Sequence, residues 1–266
     1  MIKRYRRTSV SQYLFVGFFL VVILAFGFLS SVVMSRVAFT DHFAIPWAAG
    51  RSWLLEGNNP YDTTSIDMAA AAISESNYRA ELPEQGQLAI PLINLVFYLP
   101  FSLIPYTISR VMWITLLTLA AGLIGYLCLE LSGWKISPLE KIASLLLVVL
   151  WYPGAYTLLT GRLSPIIILL LVVVLYLILK EQDTTAGFFL ALTLGSFFTS
   201  GLILLLVVIW SISKRRWSIL AAFFSGIVFL IIVSLLVLPS WLQDWMRVFL
   251  PALDNWDWVQ TPLRHM

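Results

Sequence analysis

Long stretches without a single charged side chain dominate this chain and limit what it can fold into. They cover 14–34, 88–109, 111–129, 142–159, 163–179, 184–213 and 217–243. A helix of about 20 apolar residues spans the hydrocarbon core of a bilayer, so several of these runs can cross a membrane. Only 12% of the residues are charged and 60% are hydrophobic, whereas a soluble domain has about one quarter charged residues. The sequence therefore predicts an all-α integral membrane protein.

Two of these runs do not fit a single straight span. The run 88–109 contains Pro91, Pro100 and Pro105, and proline breaks a helix interior. We therefore expect an interfacial or re-entrant segment there, which leads into a span at about 107–131. The run 184–213 would be roughly 45 Å long as one helix, well beyond a hydrocarbon core of about 30 Å.

A glycine-flanked sequence in the middle of 184–213, GSFFTSG, indicates where that run bends. It predicts a hairpin of two short helices, 186–198 and 200–213, with its apex near Phe198–Thr199. Short broken helices at membrane depth are tolerated where they line a cavity.

Positive charges favour the hairpin and set the orientation of the chain. The N-terminus carries Lys3, Arg4, Arg6 and Arg7, and cytoplasmic flanks are enriched in lysine and arginine. With the hairpin, the later basic residues fall on the same side: Lys135, Lys141, Lys180, Lys214, Arg215 and Arg216. In a rival topology 88–105 crosses the bilayer fully and leaves Lys135, Lys141 and Lys180 outside, so the hairpin is preferred.

The sequence thus predicts a single transmembrane domain over 1–266, with about five full spans plus one short helical hairpin. We expect it in the plasma (cell inner) membrane with a cytoplasmic N-terminus and an outer C-terminus. A large outer loop covers 40–106, and a Trp-rich tail at 239–266 also lies outside. Basic residues at helix ends attract anionic headgroups, so membrane lipids are the expected partners and nucleic acid is not.

The outer loop begins with Asp41, just beyond the first apolar run, where it would face a wet loop. Pro46 suits the first turn and Gly57 the end of a helix over 46–56. Its Trp47, Trp53 and Leu54 share one face, so we expect it to lie on the membrane surface. The turn Gly57–Asn58–Asn59–Pro60–Tyr61–Asp62 follows, and then a second helix through 68–80, capped by Asp62, Thr63 or Thr64.

These residues resemble the polyprenyl-phosphate-sugar-dependent glycosyltransferases of the GT-C type, and in particular glycosyltransferase family 87, which includes bacterial alpha-mannosyltransferases. The matching elements are, in chain order, Asp41 and Phe43, Ala48–Ala49–Gly50–Arg51, the Gly57–Asp62 turn, Ile90–Pro91–Leu92, Leu99–Pro100–Phe101, Trp113, Gly161–Arg162–Leu163–Ser164 and Ala186–Gly187. The resemblance covers about 35–240. The family's Gln and Asn are Arg162 and Ser164 here, Phe197–Phe198 replace its Lys-Pro pair, and the chain is expected to be a shortened, diverged member.

The resemblance implies a GT-C-like bundle that moves a hexose, with mannose as the expected sugar, from a polyprenyl-phosphate donor to an acceptor on the outer face. Inverting transfer needs a base for the acceptor proton, and the resemblance assigns Asp41 to that role. Arg51, Arg110 and Arg162 are the candidate phosphate ligands, because arginine pairs with phosphate oxygens. His42 would assist Asp41.

Plainer interpretations of the same residues stay open. Asp41 can cap the surface helix, an arginine can extend to the headgroups, and His42 can be a solvated loop side chain. The lone Cys128 excludes an internal disulfide and a cysteine metal cluster. No metal motif or cofactor is predicted, although one carboxylate with phosphates could hold a divalent cation weakly.

A second hypothesis is a catalytically silent protein of the same fold, a lipid-binding or scaffold subunit of a larger membrane protein complex. The departures from the family pattern favour it, whereas Asp41 and the complete Gly-Asn-Asn-Pro-Tyr-Asp turn favour the enzyme. A transporter is less consistent with the sequence, because the spans are nearly free of charge.

Overall fold

A computed structural model describes residues 25–83, 88, 90–134 and 137–254 of the chain. It is mostly helical, with two short strands, β1 (Phe39–Thr40) and β2 (Ala80–Glu81). The helices are α1 (25–36), α2 (Ala44–Arg51), α3 (Thr64–Glu75), α4 (Leu92–Leu95), α5 (Leu99–Ser102), α6 (Tyr106–Ser132), α7 (Pro138–Leu150), α8 (Tyr152–Thr160), α9 (Ser164–Leu179), α10 (Asp183–Leu192), α11 (Phe197–Ser213), α12 (Trp217–Val237) and α13 (Trp241–Asp254). The predicted all-α class is confirmed.

The first loop helix ends where predicted but begins two residues earlier, at Ala44, and its surroundings are not the predicted ones. Helix α2 continues through a wider turn, Ser52–Glu56, and ends at Gly57, whose φ of 74° is the left-handed conformation that favours glycine. Residues 44–50 are all buried, against α3 and α5. The expectation of a helix lying on the membrane surface is therefore wrong for α2, because its small residues allow close packing inside the protein.

The second loop helix forms without the predicted side-chain cap. Thr63 precedes α3 but makes no capping hydrogen bond, and Ser65 Oγ instead donates to the Asp62 carbonyl at 2.8 Å. The helix also ends at Glu75 rather than continuing to residue 80. Beyond it, β2 pairs in parallel with β1, with Phe39 opposite Ala80 and Thr40 opposite Glu81.

The proline-containing return of the loop forms two single turns of helix, α4 and α5. Each has four residues, about 6 Å of helix. Neither can cross a bilayer, as the rival topology would require of this segment. Trp47 Nε1 donates to the Phe101 and Ile104 carbonyls at 3.1 Å each. The return segment thus packs onto α2 before α6 begins.

Helices α6 and α12 are long and apolar enough to cross a membrane. Helices α7 and α8 meet with a bend of 54° and together provide a third candidate, a broken span. Helices α9 and α11 are apolar but have only 16 and 17 residues, about 24–26 Å. The count of about five full spans is therefore not confirmed, and the run 14–34 is described only from residue 25.

The run 184–213 folds back on itself, with its break slightly earlier than predicted. A short 3₁₀ turn, Leu194–Ser196, separates α10 from α11, so the bend lies before Phe198–Thr199. Arg216 Nη1, after α11, donates to the Ile178 carbonyl at 3.0 Å and to Asp183 Oδ1 at 3.2 Å. Both ends of the run therefore lie together, as a hairpin requires; which face of the membrane they occupy stays a prediction.

Helix α13 packs against the Gly57–Asp62 turn. Asn59 Nδ2 donates to Asp244 Oδ2 at 2.7 Å, so the start of the Trp-rich tail and the loop 40–106 lie at the same end of the bundle. Trp256 and Trp258 fall outside the described residues.

Candidate active site

Asp41 lies between β1 and α2, held by its backbone and by one carboxylate oxygen. Its N–H donates to the Glu81 carbonyl at 2.8 Å and extends the strand pairing. Its Oδ1 accepts the N–H of Phe43, two residues on, at 2.8 Å. This local bond shapes the turn that leads into α2. It is not the expected helix cap, because Phe43 is the N-cap residue and α2 has no side-chain cap.

The other carboxylate oxygen bonds to the start of α6. Asp41 Oδ2 accepts the hydroxyl of Tyr106 and Nε of Arg110, the latter at 3.0 Å. Tyr106 and Arg110 are four residues apart, so they share one face of the helix. The side chains of Asp41 and Arg110 are both 0% exposed. An ion pair this deep is strongly coupled, because little water screens it.

Arg110 has one terminal nitrogen bound and the other vacant. Its Nη2 donates to the Leu159 carbonyl at 2.5 Å, and its guanidinium lies 5.4 Å from the ring of Phe39 and 5.7 Å from that of Phe43. Nη1 is buried, and none of the described residues provides it with a hydrogen-bond acceptor. A buried donor without an acceptor is costly, and here Gly161 packs directly against Nη1.

The end of α8 closes the site from the other side. Gly161, in the left-handed conformation at φ 72°, packs so closely on the guanidinium that an added Cβ would lie 3.0 Å from Arg110 Cζ. Its carbonyl accepts Trp113 Nε1 at 2.9 Å, and the Thr160 carbonyl accepts the N–H of His42 at 2.9 Å. Gly161 is needed here both for its backbone and for its lack of a side chain.

Aromatic rings surround the ion pair of Asp41 and Arg110. The ring of Phe43 lies within 6.4 Å of those of Tyr98, Phe101, Tyr106 and Trp113. These rings exclude water, and they make any electrostatic contact with Asp41 or Arg110 stronger than it would be in solution.

His42 faces the positive side of the site. Its burial, together with the positive charges of Arg162 and Arg110, lowers its pKa from 6.5 to about 4. His42 is therefore neutral at pH 7. Arg162 itself is exposed, so it is the member of the cluster that solvent or a ligand reaches first.

The structure thus brings together four of the five predicted site residues: Asp41, His42, Arg110 and Arg162. Arg51 lies apart, at the end of α2, where it donates to the Ser102 carbonyl at 3.1 Å and stacks 5.6 Å from the ring of Trp47. The roles given to these residues in catalysis and binding remain predictions.

The surroundings of Asp41 differ from those expected. The sequence suggested a carboxylate facing a wet loop, whereas Asp41 is fully buried. The reason is that the loop folds inward and supplies the strand pair and α2 as cover. Among the described residues no three His, Cys, Asp or Glu side chains converge to hold a metal ion.

Tyr106 was missed as a site residue. Its signal is the spacing of Tyr106, Arg110 and Trp113, which places a hydroxyl, a guanidinium and an indole on one face at the start of an otherwise apolar span. Polar groups on one face of a membrane helix are a functional signal.

Comparison with protein families gives one match. The sequence model of glycosyltransferase family 87 matches residues 91–266, about two thirds of the chain. The matched range includes Tyr106, Arg110, Gly161 and Arg162, and it begins after Asp41. Comparison with curated proteins and with solved structures gives no match.

Proposed function

The chain belongs to glycosyltransferase family 87, and on that premise we propose that it transfers a hexose from a polyprenyl-phosphate donor to an acceptor on the outer face of the membrane. Mannose is the first sugar to test, because the sequence resemblance points to it. The family and the apolar helices make the protein a membrane glycosyltransferase in general terms; the donor, the sugar and the side of the membrane are the proposal.

The observation that carries the proposal is the buried pair of Asp41 and Arg110 with its vacant Nη1. Glycosyl transfer breaks the bond between the anomeric carbon and the phosphate oxygen, which leaves with the electron pair. A bond forms between that carbon and the acceptor oxygen, whose proton goes to the base. Asp41 is the base, and the guanidinium of Arg110 neutralises the departing phosphate.

In the structure Asp41 and Arg110 are bonded to each other and buried, so neither is available to a substrate. A donor phosphate would meet exposed Arg162 first. It reaches Nη1 of Arg110 only when Gly161, which packs against that nitrogen, moves away. Once Arg110 turns to the phosphate, Asp41 Oδ2 loses one of its two hydrogen bonds and becomes available to the acceptor hydroxyl. The hydrogen bond from Tyr106 then holds the carboxylate in place.

The test is transfer of labelled mannose from a short-chain polyprenyl-phosphate mannose by the purified protein in detergent, with donor binding measured separately. Asp41→Asn is expected to bind donor and to lower kcat by about 100-fold or more, the usual contribution of a positioned base. Arg110→Lys is expected to weaken donor binding about tenfold or more, because lysine cannot make the paired contact.

The matched controls are Asp67→Asn and Arg36→Gln, which change exposed residues of α3 and α1 and should leave both readouts unaltered. Each variant is first checked for an unfolding midpoint, since both members of the pair are buried. A folded Asp41→Asn protein with the kcat of the original would contradict the base assignment.

The silent-scaffold hypothesis makes the opposite prediction. A buried ion pair that is also bonded to Phe43 and Tyr106 is what a purely structural role would require. Absence of transfer with every polyprenyl-phosphate hexose tried, together with stable co-purification of other membrane subunits, would favour the scaffold.

A further inference from the structure

The end of the bundle opposite Asp41 contains an open recess of about 320 Å³. It lies between two tight turns, 180–182 from α9 to α10 and 214–216 from α11 to α12. Helix α9 starts close to Gly161 and runs for 16 residues, about 24 Å, so the recess is remote from the candidate active site. A ligand bound in this recess would therefore not depend on the proposed function.

The recess is lined by charges of both signs. Lys214, Arg216 and Glu181 contribute to its wall, with apolar Ile178, Leu179 and the indole of Trp210 beside them. The guanidinium of Arg216 is fixed in place by its bonds to the Ile178 carbonyl and Asp183, and it lies 5.4 Å from the ring of Trp210. Within the described residues its remaining nitrogens have no acceptor.

Lys214 and Glu181 face this recess without meeting. Both are exposed, and in the part of the chain that the structure describes no ion pair joins them. Opposite charges that share a recess and stay apart leave room between them for a ligand that carries both signs.

The backbone of the two turns that border the recess is constrained. Glu181 (φ 59°) and Arg215 (φ 55°) are the only non-glycine residues with positive φ that the structure describes. Each turn closes with the same hydrogen bond, Gln182 N to the Leu177 carbonyl and Arg216 N to the Ser211 carbonyl, both 2.9 Å. Glycine normally occupies this position, so both turns hold a residue with a side chain in a conformation that has a backbone cost.

The helix faces next to the recess are apolar and uncovered. Leu179 is 67% exposed, and Ile212 and Trp217 are also exposed. In a bilayer such side chains contact acyl chains, and an exposed tryptophan lies at the level of the headgroups.

We propose that the recess binds the phosphoethanolamine headgroup of an aminophospholipid. Lys214 and the free nitrogens of Arg216 bind the phosphate, and Glu181 accepts hydrogen bonds from the primary ammonium. The acyl chains lie along the apolar faces of α9 and α11. Glu181 is the residue that selects the headgroup, because a carboxylate repels a lipid that carries only negative charge.

The test uses the delipidated full-length protein in detergent, incubated with an equimolar mixture of dioleoyl phosphatidylethanolamine, phosphatidylglycerol and phosphatidylcholine. Retained lipids are counted by native mass spectrometry. Phosphatidylethanolamine is expected to be retained over each of the others by about threefold or more, the scale of one exposed charge contact. Glu181→Gln removes that preference, and Lys214→Gln lowers retention of all three lipids.

Glu130→Gln and Lys141→Gln are the matched controls, at the helix ends around the α6–α7 turn, and both should behave as the original protein does. Equal retention of the three lipids overturns the proposal, as does an effect of Glu181→Gln no larger than that of Glu130→Gln. A preference for phosphatidylglycerol overturns it as well, and indicates a general anionic-lipid surface instead.

Discussion

The two ends of the helical bundle use charge in opposite ways. At one end Asp41 and Arg110 are both 0% exposed and bonded to each other at 3.0 Å. At the other, Arg216 and Asp183 pair at 3.2 Å while 27% and 22% exposed. Lys214 and Glu181 beside them form no ion pair with any described residue. Removing one member of the first pair would leave a buried charge uncompensated, whereas water screens the second pair.

The difference also separates two kinds of strain. The buried end carries its cost in side-chain atoms: within the described residues Arg110 Nη1 has no acceptor, and Trp241 Nε1 and Asn94 Oδ1 also lack a partner. The exposed end carries its cost in the backbone, at Glu181 and Arg215. A ligand that accepts a hydrogen bond from Arg110 would relieve the cost of its unpaired nitrogen. Only a change of residue relieves the backbone cost at Glu181 and Arg215.

The largest expected effect comes from removing one partner of the buried pair. Arg110→Met leaves the Asp41 carboxylate buried and unpaired, which should cost about 3–5 kcal/mol of unfolding free energy. Arg216→Met, at the exposed pair, should cost about 1 kcal/mol or less. Reversible unfolding in mixed detergent micelles measures both, and equal losses would remove the contrast between the two ends. The double variant Asp41→Asn/Arg110→Met should recover part of the loss.

A smaller effect is expected where the backbone meets the buried guanidinium. Gly161→Ala must accept a left-handed φ and also displace Arg110, at about 2–4 kcal/mol in total. Gly133→Ala is the control, because its φ of 65° is similar but nothing lies within 4 Å of the added Cβ; it should cost about 1 kcal/mol. The same unfolding measurement compares them, and similar losses would mean that contact with Arg110 is unimportant.

Acid should weaken the buried end through His42. Its folded pKa of about 4 lies below the ordinary 6.5, so between these values the unfolded chain binds more protons and stability falls as pH falls. Between pH 7.5 and pH 5 the loss attributable to His42 is about 2 kcal/mol. The His42→Gln variant lacks that contribution, so its unfolding free energy should depend less on pH. Identical slopes for both proteins would contradict the assignment.

The smallest effect, and the only gain, is expected at the exposed end. Arg215→Gly relieves the left-handed strain and should raise stability by about 0.5 kcal/mol after the extra freedom of the unfolded chain is counted. Lys214→Gly is the adjacent control, where φ is −87° and glycine should destabilise. A loss in both variants would show that the Arg215 side chain contributes more than its backbone costs.

Local signals in the sequence predict the helices well. Pro46 and Gly57 mark the first turn and the end of the first loop helix, and Pro91 and Pro100 break the return segment. The basic run Lys214–Arg216 favours a hairpin over one long helix, and Arg216 does reach back to the start of that hairpin. These features depend on backbone preferences that act over a few residues, so they can be predicted from one sequence.

Local sequence patterns do not predict contacts between residues that are far apart in the chain. Asp41 and Arg110 are 69 residues apart, and Trp113 and Gly161 are 48 apart. Their contacts depend on how the loop folds back over α6 and α8, which no spacing rule indicates. Hydropathy also does not predict the number of full spans, because it does not distinguish apolar helices of 16 or 17 residues from those long enough to cross a bilayer.

The hydrogen bond between Asn59 and Asp244 has a consequence for how the protein is made. These residues are separated by 185 positions. At about 5–20 residues per second, the ribosome therefore adds Asp244 roughly 10–40 s after Asn59. Until residue 244 has been made, the Gly57–Asp62 turn lacks this contact, so a pause in translation before that residue lengthens the time without it.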